Sequence, residues 1–172
     1  MINPARTAQS AFTLIELLIV IAIVGILAAA SIPVFSSFTN SQRLSQAAKQ
    51  VKQDLRSVQN RAINGVEGKA WGIEFVVGGS PASYTPFKCA LNIDSGTGTC
   101  SCATGTRVNL PSKSLTSGTT FTAAETTVFD EVNGDVCASW SLLSSGSSTI
   151  TLTLDGTPRA ITVSAGGQIT EE

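Results

Sequence analysis

Ala11-Phe12-Thr13-Leu14-Ile15-Glu16-Leu17-Leu18-Ile19-Val20-Ile21-Ala22-Ile23-Val24-Gly25-Ile26-Leu27-Ala28-Ala29-Ala30-Ser31-Ile32-Pro33-Val34-Phe35 is an apolar run interrupted by one carboxylate. Residues 12–32 match the roughly twenty residues that a helix needs to cross a bilayer, and from 14 to 30 only Glu16 is charged. A carboxylate inside a membrane-spanning helix costs on the order of a few kcal/mol, so it persists where a partner neutralises it or a function requires it. The ten residues before Ala11 are polar and carry one cation, Arg6, which reads as a short leader that keeps the N-terminus inside.

A cut between Ala11 and Phe12 leaves a new α-amino group four residues from Glu16. Ammonium and carboxylate then sit on successive turns of one helix. Identical helices packed side by side with a one-turn offset pair them between chains, an arrangement suited to helical polymerisation.

The stretch from Ala11 through Val20 resembles the class III leader and N-terminal methylation motif of type IV pilins and type II secretion pseudopilins. The resemblance implies cleavage by a prepilin peptidase before Phe12, N-methylation of Phe12, and recruitment of the next subunit by Glu16. Ala11 stands where that family usually has Gly. Pro33 falls where many pilins carry a proline that loosens the helix, and it is expected to kink the helix by removing a backbone donor. The competing reading is an ordinary secretory signal, with Arg6 as its charged region, 14–27 as its apolar core and Ala28-Ala29-Ala30 as a cleavage site before Ser31. Glu16 inside the apolar core, and the amphipathic helix that continues past the cut, speak against it.

With residues 1–35 set aside, the remaining 137 residues match one domain. Cys89, Cys100, Cys102 and Cys137 are an even number in an outward-facing segment, so disulfides are expected. Cys100 and Cys102 are too close to pair with each other comfortably. Two pairings remain, in which Cys89 and Cys137 each take one of them. A structural zinc site is the rival, disfavoured by the absence of His and by the one-residue spacing.

Beyond Pro33, Leu44, Ala47, Ala48, Val51, Leu55, Val58 and Ala62 recur in steps of three and four, the spacing of one helix face. Asn64-Gly65 supplies the stop, since both residues tolerate the left-handed conformation. After Gly65 come short β-like runs at 70–77, 83–91, 106–110, 126–132, 136–143, 149–154 and 159–163, with loops at 78–81, 96–105 and 144–148. The strict alternation of 149–154, the Asp155-Gly156-Thr157-Pro158 turn and the second alternation predict a hairpin with one buried face. This order of helix, β region and closing hairpin is similar to GspH/FimT-type minor pilins and pseudopilins.

Enzyme chemistry finds no foothold. Without His there is no Ser-His-Asp or Cys-His arrangement, no Gly-Lys-Ser/Thr phosphate loop follows the scattered glycines, and nothing calls for a cofactor. Asp130, Glu131, Asn133 and Asp135 cluster oxygen ligands beside Gly134, a weak calcium candidate without the spacing of an EF-hand loop; a polar turn explains the same residues. Residues 64–172 carry five Lys/Arg against ten Asp/Glu, a net charge of about −5, whereas phosphate contacts need an excess of cation, so nucleic acid is an improbable partner. The cations Arg43, Lys49, Lys52, Arg56 and Arg61 lie on the helix, opposed only by Asp54.

The expected protein is α+β and pilin-like, a long N-terminal helix with a membrane-spanning first half, packed on a small antiparallel β-sheet domain. Its parts are a leader (1–11), a transmembrane and assembly helix (12–35), an amphipathic continuation (36–63) and a β-rich head (64–172). The resemblance implies a minor pilin or pseudopilin of the cytoplasmic membrane, its head outside the cytoplasm, which enters a pilus or pseudopilus. Its implied partners are other pilin subunits, the prepilin peptidase and the inner-membrane assembly platform. The alternative is a membrane-tethered or secreted binding domain, including a DNA-uptake receptor, that never polymerises.

Overall fold

The computed structural model describes residues 12–94, 96–123, 125–131 and 135–172, the side chains of 30–34 excepted. Among the described residues, one helix, α1 (Leu14–Ile63), is followed by a short 3-10 turn, Val66–Gly68, and then by strands. Two compact units divide between Thr39 and Asn40, inside α1. Pro33 lies within the helix rather than ending it.

In the second unit, Leu44, Ala47, Ala48, Val51, Leu55, Val58 and Ala62 are all buried, none more than 5 % exposed. The stripe read from spacing is therefore the face that enters the core. The helix stops where Asn64 and Gly65 predict. The backbone N–H and the side-chain amide of Asn64 both donate to the Asn60 carbonyl, at 3.0 and 2.6 Å. Gly65 donates to the Ala62 carbonyl at 2.8 Å and adopts φ 59°, which a residue with a Cβ seldom reaches.

The strands are β1 (Ala70–Val76), β2 (Ser83–Cys89), β3 (Leu91–Asp94), β4 (Thr99–Cys102), β5 (Val108–Asn109), β6 (Lys113–Ser114), β7 (Thr120–Ala123), β8 (Thr127–Phe129), β9 (Val136–Ala138), β10 (Ser141–Leu142), β11 (Ser147–Leu154), β12 (Thr157–Ser164) and β13 (Ile169–Glu171). Among the described residues they form two antiparallel sheets. The larger runs β3-β4-β10-β9-β8-β1-β2-β5, with β6 also on β2, and the smaller runs β13-β12-β11-β7. The expected hairpin is β11–β12, in register from Ser147 with Ser164 to Leu154 with Thr157. Ile150, Leu152, Leu154, Ile161 and Val163 from its inner face meet the helix stripe together with Trp71, Ile73, Phe75, Tyr84 and Phe129. The architecture is α+β, as expected.

A second, smaller core lies on the other face of the larger sheet, made by Ala70, Phe87, Cys89, Cys100, Val128 and Cys137. The sheet rolls back on itself around it. One residue, Ala90, separates β2 from β3, although these strands stand near opposite ends of the sheet path. Ala103 donates to the Ala90 carbonyl at 2.8 Å, and Cys89–Cys102 joins the two ends with Cα atoms 5.6 Å apart. Cys100–Cys137 ties β4 to β9. All four cysteines are thus bridged, in one of the two arrangements left open by the sequence. Gly72 shows how tight this core is: a Cβ there would stand 2.7 Å from the Thr127 carbonyl and 2.9 Å from the Phe87 ring.

Several expected strands are cut short. The run 83–91 breaks at Ala90, 126–132 shrinks to β8, and 106–110 to β5. The run 136–143 splits into β9 and β10 because Ser139 and Trp140 turn the chain at φ 49° and 63°. The expected loop 96–105 contains β4, held by Leu91 opposite Cys102 through Asp94 opposite Thr99.

Candidate functional site

Phe12 and Thr13 precede the first turn of α1. The Thr13 hydroxyl accepts the Glu16 N–H at 3.3 Å, and the Thr13 carbonyl accepts the Leu17 N–H at 3.3 Å. Thr13 is therefore the N-cap and Glu16 the third helical residue, the spacing of a capping box. This role was legible as Thr-x-x-Glu, but the reading of Glu16 as a lone membrane carboxylate hid it. The cap leaves Phe12 outside the helix, and it places the carboxylate in the first turn, where the helix dipole favours negative charge.

Behind the cap the helix is apolar on every side. Phe12 is 78 % exposed, and Leu14, Ile15, Leu17, Leu18, Ile19, Val20, Ile21, Ile23, Val24, Ile26 and Leu27 are each at least half exposed. A helix with no polar face is at rest only when something apolar surrounds it. Among the described residues no helix is long and apolar enough to cross a membrane. The apolar segment with described side chains ends at Ala29, short of the roughly twenty residues of a spanning helix. Ala11 and the rest of 1–11 lie outside the described residues, as does the side chain of Pro33.

In the head, one part-buried polar network links helix and sheet. The Tyr84 hydroxyl donates to Asp54 at 2.5 Å, and Lys113 donates to the other Asp54 oxygen at 2.7 Å. Burial, then the hydrogen bond and negative charge of Asp54, pushes the Tyr84 hydroxyl far above its ordinary 10.0. Beside this network, Arg61 stacks 4.9 Å from the Trp71 ring centre, at a pocket lined by Val58, Trp71, Pro86, Leu110 and Pro111. Asp54, read from sequence only as the lone acid among helix cations, turns out to be the anchor of the Lys113 segment.

Of the weak calcium candidate, Asp130 and Asp135 are joined through the backbone, Asp130 N–H to the Asp135 carbonyl at 2.9 Å. Asn133 lies outside the described residues, and among those described no group of three Cys, Asp or Glu could hold a metal. Exposed Asp94 is held below its ordinary range by hydrogen bonds from Thr97 and from the Gly96 backbone, a turn-stabilising arrangement.

Residues 6–32 match the family model of the prokaryotic N-terminal methylation motif. The chain is 38 % identical over 64 residues to the type IV major fimbrial protein FimA of Dichelobacter nodosus, which covers 37 % of this chain and 41 % of that protein. It is 45 % identical over 62 residues to a fimbrial protein of Pseudomonas aeruginosa, covering 36 % and 38 %. Over 42 residues it is 56 % identical to the type IV major pilin protein PilE1 of Neisseria gonorrhoeae, covering 24 % and 26 %. The chain thus spans about two-fifths of the first two relatives or less. No solved structure matches it. These relatives are fimbrial proteins and pilins, not enzymes. In its methylation motif the chain is similar to type IV pilins and fimbrial proteins.

Proposed function

We propose that this chain is a structural subunit of a type IV pilus or a type II secretion pseudopilus, held in the cytoplasmic membrane through residues 12–35 until it is added to the filament. The observation that carries this reading is a helix start that is apolar on all sides and holds one carboxylate, Glu16, next to a capped N-terminus. Cleavage after Ala11 by a prepilin peptidase frees the Phe12 amine, which Thr13 keeps outside the helix. In the filament the apolar faces pack together, and Glu16 of one subunit neutralises the Phe12 ammonium of its neighbour, which selects one register. A buried ion pair of this kind is worth most as a selector of geometry. The assembly platform of the inner membrane receives the subunit, and Pro33 loosens the helix between its two functions.

The relatives bear the names of major fimbrial and pilin proteins, whereas the order of helix, β region and closing hairpin favours a minor, GspH/FimT-type subunit. The number of copies per filament decides between them. The assembly mechanism is tested by Glu16→Ala in the full chain. The variant should fold its head and reach the membrane but be lost from sheared filaments; unchanged filament content would reject the mechanism.

A further inference from the structure

Helix, sheet and loop meet at the pocket beside Arg61, a cavity of about 250 Å³. That is just below the roughly 300–1,000 Å³ of sites for drug-sized ligands, which are mostly apolar with a few placed polar groups. The floor is apolar: Val58, Trp71 and Pro86 are buried and Leu110 is half-buried. The indole N–H of Trp71, the one polar side-chain group of that floor, already donates to the Val66 carbonyl at 3.1 Å. A polar group pushed to the floor finds no side-chain partner there and gives up its hydrogen bonds to water. An apolar body gains by leaving water for the same place.

The walls hold this shape without a ligand. The Leu110 N–H donates to the Pro86 carbonyl at 2.8 Å, the Thr85 and Ser112 hydroxyls share a hydrogen bond of 2.8 Å, and Lys113 donates to Asp54 at 2.7 Å. Pro86 and Pro111 add backbones with a fixed φ. A cavity formed in advance costs an incoming ligand little ordering of the protein.

The mouth is cationic. Arg61, Lys113 and Asp54 all line the pocket, and both Asp54 oxygens are taken, one by Lys113 and one by the Tyr84 hydroxyl. No ion pair among the described residues includes Arg61, whose guanidinium is held 4.9 Å from the Trp71 ring centre. One positive charge is thus left in excess, in a defined place at the edge of an apolar floor. Ser57 and Arg61 also border a more open groove with Arg56, so the positive potential continues beyond the mouth.

We infer that this pocket is a binding site for a small organic monocarboxylate whose apolar body is about the size of one ring. The body rests on Val58, Trp71, Pro86 and Leu110, and the carboxylate meets Arg61, whose planar fork can engage both oxygens. The negative charge of the ligand balances the excess cation. A neutral analogue fills the floor without that gain. The site lies in the head, apart from the start of α1, and the inference is independent of the filament reading.

The test uses the full chain in lipid nanodiscs with Trp140→Phe, which leaves Trp71 as the sole tryptophan, and 3-phenylpropionate as the probe. The parent chain is titrated in parallel. The expected result is a saturable change in Trp71 fluorescence. Replacing the probe by 3-phenylpropionamide, or the protein by its Arg61→Gln variant, should weaken binding about tenfold, the effect of losing one charged hydrogen-bonding partner. Ser57→Phe, at an exposed helix position on the mouth, should abolish binding by obstructing entry, and Arg43→Gln, which does not line the pocket, should leave it unchanged. Circular dichroism checks that each variant is folded; if Arg61→Gln is not, the amide and Ser57→Phe decide. No saturable change, equal binding of acid and amide, or a signal indifferent to Arg61→Gln and Ser57→Phe, as partition into lipid would give, would overturn the inference.

Discussion

Removing the two disulfides separately should destabilise the head by different amounts. In the chain-entropy relation a bridge stabilises by restricting the unfolded chain, in proportion to the logarithm of the loop it closes. Cys89–Cys102 spans 13 residues and Cys100–Cys137 spans 37, which gives about 3 and about 4 kcal/mol respectively. Cys89→Ala with Cys102→Ala should therefore cost about 3 kcal/mol, and Cys100→Ala with Cys137→Ala about 4. The second pair also removes two buried sulfurs from the smaller core. Urea unfolding of the purified full chain in detergent measures both, because the two tryptophans report different places. Trp71 sits in the main core, and Trp140 stands 6.0 Å from Phe87 against the smaller one. Either double variant unfolding within about 0.5 kcal/mol of the parent would refute the view that the bridges hold the rolled sheet closed.

Other consequences are as specific. Leu55→Ala, at a position with no exposure, should cost about 3 to 5 kcal/mol in the same urea experiment through lost burial and the cavity left behind. Gly72→Ala should cost about 1 to 3 kcal/mol by overpacking, because the new methyl meets the Thr127 carbonyl, Phe87 and Val128; a neutral result would mean that the strand shifts freely. Tyr84 is the only tyrosine, so its titration can be followed by phenolate absorbance. Its folded pKa lies above the ordinary 10.0, so its stabilising contribution is whole below that pH and declines as pH rises through it toward the folded value. Tyr84→Phe should remove that alkaline decline, and an equally steep decline in the variant would contradict the assignment.

How much was legible follows from where local spacing decides the structure. The helix stripe from Leu44 to Ala62 and strand β11 of the hairpin were readable because one face of each is buried along its whole length, so the period of burial is written in consecutive residues. The strands of two to four residues were not, since so few residues show no period. Ser139 and Trp140 could not be read as a turn, because neither is a residue that favours positive φ. Sequence narrowed the disulfides to two pairings but could not choose, because the choice depends on a sheet that brings β4 beside β9 and the end of β2. The assembly segment was visible as a motif, and the Thr-x-x-Glu spacing that caps the helix lay within it, hidden by the reading of Glu16 as a lone membrane carboxylate. The network of Asp54, Tyr84 and Lys113 joins residues too distant in sequence to be paired by inspection.

The most direct test of the account is the intact mass and N-terminal sequence of the chain recovered from sheared filaments. A chain that begins at N-methylated Phe12 is the predicted result. A mature chain beginning at Ser31, or one found only in the medium and never in filaments, would contradict assembly through the N-terminal helix.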